Sequence, residues 1–203
     1  MRFFDLLFPP RVDEALLRDV SVDEFISLIV PRVVPETRPE TVVLLPFNEP
    51  RVRAALHEAK YHGSEHAFTY LGTVLAEYLR DADDGFRKPI IVPVPLGKAR
   101  RKERGFNQVE EITSRALRSL DDSISLDINL LERVKETQSQ ISLERRRREE
   151  NMRGAFRATR RADPAHTYII IDDVITTGAT LGAAIAALSE AGAEHIIPLA
   201  LAH

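Results

Sequence analysis

The stretch "YIIIDDVITTGATL" (Tyr168–Leu181) decides how the chain folds. Ile169, Ile170 and Ile171 form an uninterrupted β-branched run, the composition of a strand covered on both faces. Two carboxylates, Asp172 and Asp173, end it. A turn of hydroxyl-bearing and small residues with one glycine follows at once. "TLGAAIAALSEAGA" (180–193) then reads as a helix of small residues stopped by Gly192. Strand, acidic end, small turn and helix thus occupy one continuous segment.

The same alternation extends through the chain. "TVVLLPF" (41–47) is strand-like, and Pro50 suits the first turn of a helix whose Val52, Leu56 and Ala59 share a face and which Gly63 can end. Phe68, Leu71, Leu75, Tyr78 and Leu79 repeat at helical spacing. "KPIIVPVPL" (88–96) predicts a buried strand ended by prolines. Asn107 caps a helix with a stripe of Phe106, Val109, Ile112, Ala116, Leu117 and Leu120. "ISLDINLLERV" (124–134) and "GAFRAT" (154–159) each predict a strand, and "HIIPLALA" (195–202) is expected to close the sheet. Lys135–Asn151 is polar and without strand pattern, and reads as a long mobile loop running into a short helix.

Strands alternating with helices predict an α/β fold with a mostly parallel sheet flanked by helices, over residues 41–203. Residues 1–40 read as a small N-terminal helical appendage and linker. Ser21 and Glu24 make a capping box there, and "PRVVPETRPET" (31–41) is the proline-rich linker. Ligands of parallel sheets bind beyond the carboxyl ends of strands, which puts Asp172, Asp173 and the turn at the expected site.

Composition narrows the chemistry. The 203 residues are 44% hydrophobic and 29% charged, with a formal net charge of -3. Global attraction to nucleic acid or acidic membranes is therefore not expected, and any such binding needs a local basic patch. Without cysteine there are no disulfides, thiolate zinc sites or cysteine nucleophile. This is compatible with a cytoplasmic protein. Asp5 and Pro9–Pro10 break the only apolar stretch at the start, so no signal peptide or membrane span is expected.

Ionised carboxylates only accept hydrogen bonds, so Asp172 and Asp173 suit the 2- and 3-hydroxyls of a ribose, or waters on a bound Mg2+. Consecutive strand residues point to opposite faces, so the two need not share a proton. Thr176, Thr177, Gly178, Ala179 and Thr180 offer backbone N–H groups, hydroxyls and little bulk at a helix N-terminus, the makings of a phosphate cup. The cup lacks the lysine of a Walker loop and the spacing of a dinucleotide turn. A lone Thr-Thr-Gly is better read as an ordinary capped helix start. The whole constellation in an α/β context points to a ligand.

"IIIDDVITTGAT" resembles the phosphoribosyl pyrophosphate (PRPP) signature of type I phosphoribosyltransferases. That likeness implies the fold of those enzymes, ribose hydroxyls on Asp172 and Asp173, the 5-phosphate of PRPP or ribose 5-phosphate on residues 176–180, and Mg2+ arriving with PRPP. Pro93, Val94 and Pro95, followed by Arg104 to Gln108, resemble the ComF/GntX family. So do Thr137 and Gln140, Leu143, Arg148 and Asn151, Gly154 to Phe156, Lys60 and Tyr61, and "LLFPP" (6–10). The likeness spans nearly everything from residue 41 onward. It makes Asp172, Asp173 and Arg104 the catalytic candidates. Lys60 and Arg104 become candidates for the leaving pyrophosphate, and Thr137, Gln140 and Arg148 for a flexible loop closing over the site. Some members of that family are implied to serve DNA uptake, so single-stranded DNA or a competence partner is an alternative, with 98–104 and 145–148 as the basic patch. The oligomeric state, a dimer included, stays open.

Two departures matter. Family members commonly begin with a cysteine zinc ribbon, but Val12 stands where its first cysteine belongs, so no zinc is expected. Transferases for 6-oxopurines carry an aspartate where this chain has Thr176, which argues against hypoxanthine or guanine as acceptor. An orotate-type enzyme shares "DDVITTG", and the Arg-Gly-Phe-Asn-Gln stretch argues against it. Lys98, Arg100, Arg101 and Lys102 read individually as a solvated face, as do the arginines of 145–147. His62 and His66 have i,i+4 spacing, but Gly63 lies between them and no third ligand is evident.

Overall fold

The computed structural model describes residues 11–35, 37–82, 87–120, 123–135 and 151–203. Thr137, Gln140, Leu143, Arg148, the run 145–148 and "LLFPP" lie outside the described residues.

The chain begins with two short helices, α1 (Val12–Arg18) and α2 (Val22–Ile26), followed by strands β1 (Arg32–Val34) and β2 (Thr41–Leu45). Helix α3 (Pro50–His57) runs into a π-helical turn (Glu58–His62), and α4 (Glu65–Ala82) follows. Next come β3 (Ile90–Pro93), α5 (Lys98–Arg104), α6 (Gln108–Leu117), β4 (Ser125–Leu126), β5 (Leu131–Arg133) and β6 (Phe156–Ala158). β7 (Thr167–Val174), α7 (Ala179–Glu190) and β8 (His195–Ala202) complete it. Six strands form the main sheet in the order β1-β2-β8-β7-β3-β4, and β5 pairs with β6 apart from it. All main-sheet pairings are parallel except β1 with β2. This is the α/β architecture expected, and it is compatible with a type I phosphoribosyltransferase-like fold.

Alternation along β7 assigns the two faces. Ile169 and Ile171 join α3, α4 and α6 in one apolar cluster, while Ile170 joins α7, β5 and β6 in the other. The neighbouring parallel strands β3 and β7 therefore send their following helices, α6 and α7, to opposite faces. A crevice opens at the carboxyl ends of such a strand pair. Asp172 and Asp173 stand on its rim.

Two expectations need correction and a third gains its place. "HIIPLALA" is the last strand of the sheet in chain order, and β8 inserts in the interior, between β2 and β7. Strand order is a tertiary property, and a run buried on both faces looks the same wherever it inserts. The proline-rich stretch 31–41 is no bare linker. Pro31 and Pro35 bracket β1, which pairs antiparallel with β2 on the sheet's outer side, where a proline next to an edge strand costs no ladder bond. "ISLDINLLERV" holds two strands, β4 and β5, in different sheets.

The N-terminal helices dock firmly. Leu17 and Phe25 are fully buried, Phe25 stacks on Tyr70 at 4.7 Å, and the Tyr70 hydroxyl donates to the carbonyls of Leu17 and Val20. Arg11 forms a bidentate pair with Glu58, which is 1% exposed, at 2.9 and 2.6 Å. That guanidinium holds the Glu58 carboxyl below its usual range, against the opposing effect of burial.

Candidate functional site

β7 delivers its two acids to different surroundings. Asp173 faces α3 and α6. It is 7% exposed, and its Oδ2 accepts a hydrogen bond from Gln108 Nε2 at 2.8 Å and lies 3.4 Å from Lys60 Nζ. Its Oδ1 accepts from the Val174 N–H at 2.7 Å. Asp172 is half-buried toward α7, and its Oδ1 accepts from the Asp173 N–H at 2.9 Å. Burial, and then the Asp173 charge, push the Asp172 carboxyl up to about 7. The Asp173 charge reaches Asp172 although consecutive strand residues point to opposite faces.

The turn after β7 is shaped by a segment that the sequence does not mark. Gly178 has φ of 82°, and a Cβ there would lie 2.7 Å from the Arg38 carbonyl oxygen. Only glycine fits a left-handed residue pressed against another backbone. Arg38 N–H donates to the Thr177 carbonyl at 3.2 Å, so the stretch after β1 braces the turn. Thr37 secures that brace, since its hydroxyl bonds the carbonyls of Val34 and Pro39, each at 2.8 Å. The first N–H groups of α7 have no intrahelical acceptor. Thr177 Oγ1 meets one of them, on Ala179, at 3.3 Å. Thr176 is exposed, and Thr177, Ala179 and Thr180 are half-buried. The expected phosphate-cup residues are thus gathered in one turn beside Asp172.

The Arg-Gly-Phe-Asn-Gln stretch gains a physical account. Asn107, 1% exposed, caps α6 by accepting from the Val109 N–H at 3.1 Å and donates to the Val94 carbonyl at 3.0 Å. The cap is as expected, and the bond to Val94 also ties α6 to the end of β3. Gln108, 3% exposed, bridges Arg104 Nη1 at 3.1 Å to Asp173. Phe106 packs edge-on to Phe68 and against Gly63. Gln108 was legible as part of a motif but not as a partner of Asp173, because a contact 65 residues away leaves no local periodicity.

Lys60 and Arg104 converge on Tyr61. Lys60 Nζ lies 5.9 Å and the Arg104 guanidinium 5.2 Å from the ring centroid. The stretch 98–104, whose charges read from sequence as a solvated face, is helix α5 with no buried residue, and Arg101 pairs with Glu110 at 2.6 Å. His66 packs on Tyr70 at 4.5 Å, away from His62. The π turn brings His57, Glu58 and His62 together instead, with ligand atoms within 4.8 Å of one another. Arg11 already takes both Glu58 oxygens, and Asp13 accepts from His57 Nδ1 at 2.9 Å, so this cluster reads as ion pairing.

The acid pair offers hard oxygen donors with no imidazole or sulfur bonded to it among the described residues, a set that suits Mg2+ held through water or ligand oxygens. Among the described residues no helix is long and apolar enough to cross a membrane.

No family model matches the chain. It is 36% identical over 108 residues to Competence protein F of Haemophilus influenzae, covering 52% of this chain and 46% of that protein. It is 30% identical over 135 residues to DNA utilization protein YhgH of Salmonella typhi, covering 65% of this chain and 58% of that protein. Against YhgH of Escherichia coli the identity is 36% over 91 residues, 45% of this chain and 39% of that protein. The chain spans about half the length of the curated relatives it matches. It is similar, over that shared part, to proteins named for competence and for DNA utilization.

Proposed function

We propose that the chain binds PRPP with Mg2+ and transfers its phosphoribosyl group to an acceptor. One observation carries this reading. Two carboxylates and a glycine-shaped helix-opening turn meet at the carboxyl ends of adjacent parallel strands whose helices leave to opposite faces. In this reading Asp172 and Asp173 accept the ribose hydroxyls, and residues 176–180 hold the 5-phosphate. Gln108 fixes the Asp173 carboxylate so that it meets the ribose already oriented. Lys60 and Arg104 supply positive charge for the departing pyrophosphate. Asp172 and Asp173 would hold Mg2+ through its waters, and the ion would supply charge neutralisation for the phosphate oxygens.

The test is a screen for pyrophosphate release from PRPP with nucleobases and aromatic acids. Release that requires both Mg2+ and one acceptor, and that disappears in Asp172→Asn/Asp173→Asn, is expected. PRPP binding without release for any acceptor would overturn transfer.

The similarity to a competence protein and to DNA utilization proteins favours a second reading, a DNA-uptake accessory role. The exposed basic helix α5 is the surface that would meet single-stranded DNA. Replacing Lys98, Arg100 and Lys102 by alanine would then weaken oligonucleotide binding uniformly across sequences and flatten its salt dependence. Binding that ignores salt or these substitutions counts against this reading.

A further inference from the structure

A cavity of about 400 Å³ opens on the Asp173 side of the crevice, away from the phosphate turn. Its walls include Phe47, Arg53, Leu56, Lys60, Tyr61 and Asp173. Lys60 and Asp173 form one side of it, and the walls at Phe47, Arg53 and Leu56 take no part in the proposed ribose, phosphate and pyrophosphate contacts.

Its chemistry is specific. Phe47 is 39% exposed, so its ring is left to a ligand, and the Tyr61 ring, which already meets His57, Lys60 and Arg104, borders the space. Leu56 is buried beneath them, and the Phe47 N–H is tied to the His203 carbonyl at 2.9 Å. Lys60 stands against Asp173, and Asp13 lies 2.9 Å from His57 Nδ1. Arg53 is exposed and has no ion pair within 4 Å among the described residues, although its charge acts on the nearby Glu49, whose Oε1 is bonded to Arg51 at 2.7 Å. The volume lies within the range of small-molecule sites. A guanidinium with no ion pair among the described residues, beside the Phe47 ring and an apolar floor, fits a flat ligand with one negative charge.

We propose that this cavity is the acceptor site and that the acceptor is a flat aromatic or heteroaromatic acid. Its ring lies against Phe47 and Tyr61, and its anionic group meets Arg53. Its nucleophilic atom faces the ribose held at Asp173, a placement that rests on the PRPP reading. Neutral purines would leave Arg53 unpaired.

The chain has no tryptophan, so the fluorescence of 2-aminobenzoate reports binding against a low background. That probe is titrated into the wild type, Arg53→Gln and Tyr61→Ala with and without Mg2+ and PRPP. Competition by pyridine-3-carboxylate, its amide, adenine and a thymidine oligonucleotide follows. The acids are expected to bind about tenfold more tightly than the amide, and Arg53→Gln to erase that difference. PRPP with Mg2+ is expected to tighten acid binding. Arg53 is exposed, so an unchanged melting temperature shows that the variant is folded. Equal binding of acid and amide, an indifferent Arg53→Gln, or displacement by the oligonucleotide but not by the acid overturns the proposal. The PRPP reading is scored separately: if PRPP binds but acids do not, only the acceptor assignment falls. If acids bind through Arg53 while PRPP does not bind, the acid cavity stands and its role as acceptor site falls with the PRPP reading.

Discussion

Asp172 and Asp173 are neighbours in sequence and differ in nearly everything else. Asp173 is clamped: Gln108 and Lys60 share one of its oxygens and the Val174 N–H holds the other. Asp172 looks toward α7 and the braced turn, takes one N–H from Asp173, and is pushed up to about 7. One carboxylate is oriented before any ligand arrives, and the other keeps its proton more tightly than a free acid. The α3/α6 face thus fixes one carboxylate by hydrogen bonds, while the other, on the opposite side of the strand, holds its proton more tightly.

The contrast can be broken most severely on the α7 face. Gly178→Ala puts a Cβ against the Arg38 carbonyl at a left-handed residue, and is expected to cost about 3 kcal/mol in urea unfolding. On the other face, Gln108→Leu should weaken PRPP binding by about tenfold, the loss of a hydrogen bond to a charged oxygen. Gln108→Glu separates positioning from bulk. It should bind worse still at pH 8, where a second carboxylate opposes Asp173, and recover as the pH falls. Equal binding by both variants at all pH values would make Gln108 merely structural.

The pH dependences run in opposite directions and sharpen the comparison. Asp172 has a raised folded pKa, so the native state holds its proton where the unfolded chain has lost it. Its effect is to lower stability progressively as pH rises from about 4 to about 7. Asp172→Asn should therefore melt higher than the wild type at pH 8, and this gain should vanish near pH 4. Glu58 is the converse. Its folded pKa is depressed, so its stabilisation is full above its unfolded value and is lost as pH falls through the folded one. Arg11→Ala should lower the melting temperature at pH 7 with a smaller loss in acid.

Much of the α7 face was legible because its signals are local. The isoleucine run, the acids, the turn and the small-residue helix adjoin one another, and on the other face Asn107 announces the α6 cap within three residues. What stayed hidden depends on distant partners. The central place of β8, the pairing of β1 and the brace by Arg38 arise from how strands order themselves, which hydrophobic period does not encode. The Gln108–Asp173 bond joins residues far apart in sequence, and the π turn that groups His57 with His62 replaces the α-helical spacing that pairs His62 with His66.

Calorimetric titration of PRPP with saturating Mg2+ at pH 8, into the wild type and into Asp172→Asn/Asp173→Asn, tests the central claim most directly. The account predicts one PRPP per chain for the wild type and no measurable heat of binding for the folded double variant. Absence of PRPP binding by the wild type, or equal binding by the variant, would contradict it.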